Sequence, residues 1–473
     1  MLVELFMPFC EELNEENRRL CEENQRLREE NRRLRDQIAQ NSRNSSKPPS
    51  QDTHRPVKKS DSGPSARKAG GQKGHKGQGA KLKDNPDKTL DYLISDCPEC
   101  GQDLRQVAVD EIIRKQIEDI PEIKTTVTEH RIEVKTCCGC GIQWQAGGCA
   151  LQHEFEYGPN VKALAVYMST YQFIPQKRIK ELLGVFGIEL STGTLNNFRK
   201  AATKRIEPFI QTLRQSIVKA PSAHFDETGI KVGGVNHWVH VASTLLLSFF
   251  GIHERRGQKA HQDMDILPKF NGIVHRDAYR AYNDYPQSRH SLCCAHILRE
   301  LQFAIERDGQ KPWAQPMIEL LLGIKKQVED RSEQVADHRW QGRHRKRYRE
   351  LIQQGLSMNP PAQRPDGQVR GATKQSKTYN LLVRLRDREE DILRFMTEAL
   401  AEFTNNQAER DLRMNKVRAK VSGGFRALTP AEEFMQIRSL ISTAGKQAAC
   451  PLQTLVQVFT YGNSEFMKLA NPD

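Results

Sequence analysis

The chain contains 473 residues, which corresponds to about two to four domains. Its net charge of +13 and pI near 9.2 indicate a polyanionic partner, and DNA fits because its phosphates attract Lys and Arg through counterion release. The longest strongly apolar run, 245–250, is far shorter than the roughly 20 residues of a membrane span, so no membrane partner is expected. The N-terminus is acidic and lacks a secretory pattern, and the chain contains eleven cysteines. Together these features predict a cytoplasmic, nucleoid-associated protein that binds metal through thiols.

A heptad pattern occupies residues 1–40. Leucines and asparagines alternate along its core positions: Leu13, Leu20, Leu27 and Leu34 at d, and Asn17, Asn24 and Asn31 at a. This pattern predicts a short parallel coiled coil through which the chain forms a homodimer or higher oligomer. A solvated single helix of the same composition is the alternative. Residues 41–90, rich in Gly, Lys, Ser and Pro, predict a disordered basic linker.

Two C-x-x-C pairs, each followed by Gly, predict a zinc-binding module over 91–150. Four thiolates suit tetrahedral Zn²⁺ and leave no open position, so the zinc is expected to be structural. The predicted ligands are Cys97, Cys100, Cys137 and Cys140. Cys138 is a substitute ligand and Cys149 a bystander, while a redox dithiol pair is the competing interpretation. Alternating stretches at 109–117 and 124–134 predict a small sheet between the two pairs.

Residues 151–218 show helical periodicity that fits a helix-turn-helix. An amphipathic helix is predicted over 176–186, followed by a turn at Gly187 and a second helix from Ser191 to Ala201. The second helix of such a motif enters the major groove. Its predicted DNA contacts are Thr192, Thr194, Asn196, Asn197 and Arg199. An ordinary helical hairpin would show the same pattern and is the alternative.

From Pro221 the periodicity changes to that of strands. Strands are predicted at 224–232, 237–243, 244–254, 272–276 and 291–295, with a helix at 258–270 after the third and another at 296–306 after the fifth. This is the element order of a ribonuclease-H-like mixed sheet, in which the first and fourth strands are neighbours. Asp226 and Asp277 are therefore expected to lie close together, where carboxylates suit Mg²⁺ or Mn²⁺. That they are ordinary surface acids is the alternative.

Several segments resemble, in order, the transposases of insertion sequence 66. They are the paired C-x-x-C, GIELSTGTL (187–195), HFDETG (224–229), HRDAYRAY (275–282), CCAHILREL (293–301) and NNQAERDLR (405–413). The resemblance extends over about 90–460 and implies a DDE-type transposase with Asp226, Asp277 and Glu409 as metal ligands. It also implies that accessory proteins of the same element take part. Phe225 departs from the family pattern, which commonly has Ala there.

Glu409 falls in the first turn of a helix that Asn405 is expected to cap, with Arg410 and Arg413 nearby to contact phosphate. Glu227 is the rival ligand beside Asp226. It is predicted to point to the opposite face of its strand and to be a supporting or surface group.

Residues 308–404 predict a helical insertion within a catalytic domain over 219–462, which a tail at 463–473 follows. The insertion carries a basic run at 338–347 that could clamp DNA, although an exposed helix face would look the same. Its predicted DNA contacts are Arg343, Arg345 and Lys346.

The sequence as a whole predicts a multidomain α+β DNA transposase that performs metal-dependent end cleavage and strand transfer. Its partners would be element ends and target DNA. Two alternatives stay open: a non-catalytic zinc-containing DNA-binding regulator, and a ribonuclease-H-like nuclease without strand transfer.

Overall fold

The computed structural model describes residues 2–40, 44, 81–148, 153–330, 337–362, 373–460 and 464–472, with the backbone alone for 2–13. Most of the predicted linker, Cys149 and the first part of the heptad core lie outside what is described. The chain divides into two compact units, His54–Glu129 and the remainder. No described helix is long and apolar enough to span a membrane.

In the first unit, residues 81–129 have an irregular backbone without helices or ladder strands. An isolated bridge joins Asp96 to Asp103 around a tight turn, in which Gly101 N donates to Cys97 O at 2.8 Å. The sheet predicted over 109–117 and 124–134 does not form. Its apolar side chains, such as Ile112 and Ile117, are exposed, so the alternation buries no surface that would stabilise a sheet.

The second unit contains a short hairpin and a five-stranded sheet. The hairpin pairs β1 (Val134–Thr136) with β2 (Gln143–Gln145) on either side of the second C-x-x-C. The strands of the sheet are β3 (Ser222–Val232), β4 (Val235–Ser243), β5 (Ser248–His253), β6 (Ile273–Arg276) and β7 (Arg289–Leu292). The order across the sheet is β5-β4-β3-β6-β7, with antiparallel pairing from β3 to β5 and parallel pairing from β3 to β7. The mixed helix-and-sheet class and the adjacency of the first and fourth strands are confirmed.

Local chemistry explains the strand ends. β3 and β4 are joined by two residues, Gly233 and Gly234, both with positive φ, as a tight hairpin of this twist requires. The third strand begins at Ser248 rather than at the predicted Thr244, because Thr244 Oγ1 accepts from Leu247 N at 3.0 Å and closes a turn first.

Helices make up most of the rest. They are α1 (Leu2–Ala39), α2 (Pro159–Thr170), α3 (Gln176–Val185), α4 (Thr192–Lys219), α5 (Gln258–Met264), α6 (Cys294–Asp308), α7 (Lys311–Glu329), α8 (His338–Met358), α9 (Lys377–Asp387), α10 (Glu389–Thr397), α11 (Asn406–Ser422), α12 (Leu428–Lys446) and α13 (Pro451–Phe459). Ser191 caps α4 as expected, its Oγ accepting from Thr194 N at 3.0 Å. α4 then continues well past Ala201, because Ile206, Phe209 and Leu213 extend its apolar stripe and are fully buried.

The two faces of the sheet are covered by different sets of helices, and α12 contributes to both. Ala223 and Phe225 of β3 share a core with buried residues of α4, α12 and α13. Val239 and Val241 of β4 share a core with Ala408 and other apolar residues of α11 and α12. Because side chains alternate along β3, Asp226 faces the α11 side, opposite to Phe225. Helices α6 to α10 enclose a further core of their own.

Candidate active site

The parallel register of β3 and β6 places two acids side by side. His224 pairs with His275 at the last rung of this ladder, and Asp226 and Asp277 each follow two residues later. Asp226 and Asp277 therefore lie next to each other, just beyond the last paired residues of β3 and β6. The charge of Asp277 raises the pKa of Asp226, which reflects this proximity.

Asn405 attaches the start of α11 to the same edge. Its Nδ2 donates to Phe225 O at 2.8 Å, its Oδ1 accepts from His224 Nδ1 at 2.9 Å, and its backbone N donates to Cys293 Sγ at 3.2 Å. The side chain is only 2% exposed, so these bonds are shielded from water. Asn405 thus joins β3, α11 and the N-terminus of α6. It fixes the position of the first turn of α11, which carries Glu409.

Two stacked histidines support this junction. The rings of His224 and His275 lie 4.2 Å apart between centroids. His275 Nε2 accepts from Glu402 N at 2.8 Å, which requires a neutral ring. Burial, together with the nearby His224, lowers the pKa of His275 to about 4, so the ring is neutral at physiological pH. The histidines of HFDETG and HRDAYRAY therefore anchor the strands and the loop before α11.

The electrostatics of Asp226 are those of a crowded carboxylate. Burial raises its pKa to about 7, and the charges of Glu227 and Asp277 add to the rise, while a bond from Glu227 N and the charge of His296 oppose it. A cation at this position would remove the repulsion. Asp226, Asp277 and Glu409 fit a hard divalent cation by their donor atoms.

Glu227 is buried rather than superficial. It lies on the face of β3 opposite to Asp226, where Tyr282 Oη donates to its Oε2 at 2.7 Å and Arg256 Nε donates to its Oε1 at 2.6 Å. Burial raises its pKa, and Asp277 raises it further. Glu227 is therefore a fully enclosed group of this site.

Arg256 is a component that the sequence interpretation missed. Its guanidinium lies over the Tyr279 ring at 4.0 Å and the Trp238 ring at 5.0 Å, and it approaches Asp277 Oδ2 at 3.7 Å as well as Glu227. It thus bridges two of the four acids near β3. The one sign of this residue in the sequence was a basic pair in the loop after β5. A loop has no periodicity from which the role of such a residue could be predicted.

Each C-x-x-C forms a turn whose backbone N–H groups lower the pKa of its first cysteine. The backbone N–H groups of Cys100 and Glu99 lower the pKa of Cys97, and those of Cys140 and Gly139 lower the pKa of Cys137. The glycines that follow, Gly101 and Gly141, have φ values of +74° and +71°, a backbone conformation that other residues rarely adopt. Both turns therefore suit metal binding.

The predicted DNA contacts of α4 have different surroundings. Thr192 is exposed and Thr194 half-buried at its N-terminus. Asn196 Oδ1 accepts from Gln176 Nε2 at 2.8 Å and from Arg199 at 3.0 Å. Arg199 also bonds Glu433 of α12 at 2.5 Å and is only 15% exposed, so it faces the protein interior rather than a ligand.

The predicted basic contacts of the catalytic domain also divide. Arg345 is paired with Glu389 and Glu390 at 3.0 and 2.6 Å, so its charge is used within the insertion. By contrast, Arg343 and Lys346 on α8 and Arg410 and Arg413 on α11 are exposed.

Models of known protein families match the chain. The model of the Transposase IS66 family matches residues 155–433, which is more than half of the chain and includes β3, β6, α6 and α11. The chain belongs to the Transposase IS66 family. The predicted resemblance is thereby confirmed for this transposase. The zinc-finger binding domain of transposase IS66 matches residues 95–141 and includes both C-x-x-C turns, which supports a structural zinc. A family of unknown function matches residues 6–81, and no curated protein matches the chain.

Proposed function

We propose that this transposase cuts DNA at element ends and joins the new ends to target DNA, using Asp226, Asp277 and Glu409 on a ribonuclease-H-like core. The observation that carries the proposal is the register of His224 with His275, together with the Asn405 junction. This register brings Asp226 and Asp277 side by side, and the junction holds the helix that carries Glu409 against β3, which supports the assignment of the three acids. The strand order β5-β4-β3-β6-β7 supports the assignment of the core.

In this mechanism the three carboxylates hold Mg²⁺ or Mn²⁺. Such ions supply activation of the attacking oxygen and stabilisation of the leaving oxygen in phosphoryl transfer. Burial, together with the charges of Glu227 and Asp277, raises the pKa of Asp226 to about 7, and a bound cation would favour its ionised form. Arg256 holds Asp277 and Glu227 in place through its two contacts. Water attacks first and exposes a 3′-hydroxyl, which then attacks the target strand, so no covalent protein–DNA intermediate forms.

Exposed Lys and Arg side chains around the three acids would hold the DNA. Arg410 and Arg413 lie on α11, one to four residues after Glu409, and are suited to the phosphates that flank the cleaved bond. Arg343 and Lys346 on α8 and Thr192 at the start of α4 are the further proposed contacts. Arg199 and Arg345 are left out of this set because carboxylates of the protein neutralise them.

The N-terminal helix is proposed to assemble the chain into a homodimer or higher oligomer. Leu20, Leu27 and Leu34 are about half exposed along α1. Asn24 Nδ2 donates to Leu20 O at 3.0 Å in place of a partner helix. A parallel coiled coil would bury this stripe and place two catalytic domains in one complex, as cutting two element ends requires.

The proposal is tested with DNA that carries the element ends, in Mg²⁺ or Mn²⁺, with and without the other proteins of the element. Asp226→Asn, Asp277→Asn and Glu409→Gln should each abolish cleavage and joining while leaving DNA binding unchanged. Glu207→Gln, an exposed carboxylate of α4, is the matched control and should be fully active.

Other outcomes identify the alternatives. Full activity of any of the three variants would remove that residue from the site. Cleavage without joining would favour a nuclease. Specific binding by the wild type without cleavage, in every protein mixture, would favour a regulator.

A further inference from the structure

A second cluster of ligand-type side chains adjoins the proposed catalytic acids. Cys293, His296 and Glu409 each offer one ligand atom, and these atoms all lie within 4.8 Å of one another. Cys293 is the N-cap of α6 and His296 follows three residues later, so their side chains share one face of the helix. Glu409 approaches from the first turn of α11.

Two of these atoms are buried without a partner. Neither His296 Nδ1 nor Glu409 Oε1 has a hydrogen bond, although each is shielded from solvent. They are 3.7 Å apart, which is too long for a hydrogen bond between them but close enough for an ion pair when His296 is protonated. Buried polar atoms of this kind are rare in folded proteins and call for a missing partner.

The distances and donor types fit a metal ion. With Zn–N and Zn–O bonds of about 2.0–2.1 Å and a Zn–S bond of about 2.3 Å, ligand atoms of a tetrahedral site lie roughly 3.3–3.6 Å apart. His296 Nδ1 and Glu409 Oε1 are 3.7 Å apart, slightly more than the separation that a bound ion would impose. Sulfur and imidazole nitrogen are donors that Zn²⁺ accepts and Mg²⁺ does not favour, and Zn²⁺ also accepts a carboxylate oxygen.

The surroundings orient the sulfur. Asn405 N donates to Cys293 Sγ at 3.2 Å, which fixes the side chain toward the cluster. The neighbouring Cys294 is directed elsewhere, since its Sγ lies 3.5 Å from Ile392 O. The two adjacent cysteines of CCAHILREL therefore have separate roles, and only the first faces Glu409.

We propose that Cys293, His296 and Glu409 bind one borderline-soft divalent cation of the Zn²⁺ class, in a site separate from the C-x-x-C zinc. Three protein ligands leave one position open to water or phosphate. One consequence rests on the proposed function. Because Glu409 is shared, Zn²⁺ at this site removes a ligand from the catalytic cations and inhibits cleavage.

The test is the zinc content of the full-length protein after loading and removal of loosely bound metal. The wild type should bind about two Zn²⁺ per chain, and Cys293→Ser and His296→Asn about one. Cys450→Ser changes an exposed free cysteine and should keep both, as a matched control. Asp226→Asn should also keep both while losing cleavage, which separates failure of this site from failure of the proposed function.

Equal zinc content in the wild type and both ligand variants would overturn the proposal. A measurement without substitutions guards against variants that misfold. Zinc-edge anomalous diffraction from wild-type crystals should show a peak within about 2.5 Å of all three ligand atoms. A peak at the C-x-x-C cysteines alone would refute the site.

Discussion

Asp226→Asn should stabilise the Mg²⁺-free transposase at pH 8 although it abolishes activity. Burial raises the pKa of Asp226 from 3.8 to about 7, and the neighbouring acids contribute. Because the folded-state pKa is the higher one, stability falls as pH rises from about 4 to 7, and the full loss is present above pH 7. The difference between the two pKa values is worth about 4 kcal/mol, and solvent at the open side of the site reduces the expected gain to about 1–3 kcal/mol.

The assay is urea denaturation of zinc-loaded protein in Mg²⁺-free buffer, at pH 5 and pH 8. The variant should unfold at a higher urea concentration than the wild type at pH 8, and the difference should shrink at pH 5. Added Mg²⁺ should stabilise the wild type and not the variant. Glu207→Gln, which removes an exposed charge, should show neither effect. A gain that is equal at both pH values would refute the electrostatic argument.

Three further predictions concern the junction, the coil and the zinc. Asn405→Ala should lower the free energy of unfolding by about 2–4 kcal/mol, because it leaves buried groups of β3 without partners, whereas Asn406→Ala changes an exposed residue and should have little effect in the same urea assay. Leu27→Asp should convert the oligomer to a monomer in sedimentation velocity; an unchanged mass would exclude α1 as the interface. Cys137→Ser should lose the structural zinc, measured as metal per chain, and Cys138→Ser should retain it.

Much of the sheet could be predicted from sequence because its rules are local. The period of two, the Gly233–Gly234 turn and the buried run before Asp277 locate strands without knowledge of their neighbours. The order of three antiparallel strands and two later ones then limits the topologies, so that β3 and β6 were expected to be adjacent. The small sheet at 109–134 was predicted by the same rule and does not form, because alternation of apolar residues counts only where a surface exists to bury them.

The site could be predicted from sequence only in part. Strand order predicted that Asp226 and Asp277 are neighbours. Glu409 was predicted only from the family resemblance, because no feature of its helix indicates that it lies near β3. What fixes it is Asn405, whose bonds reach residues about 180 positions earlier in the chain. Such contacts depend on side chains from distant segments and leave no periodic trace.

The sequence by itself determined the metal-binding cysteine pairs, the period of the strands and helices, and the family. These depend on residue types at short spacing, which a single chain displays directly. Only the tertiary structure decided that Glu227 is enclosed by Arg256 and Tyr282, that Arg199 and Arg345 are neutralised, and that Cys293 and His296 meet Glu409. The reason is that burial and charge pairing depend on which segments pack together. The same side chain is exposed in one packing arrangement and buried or ion-paired in another.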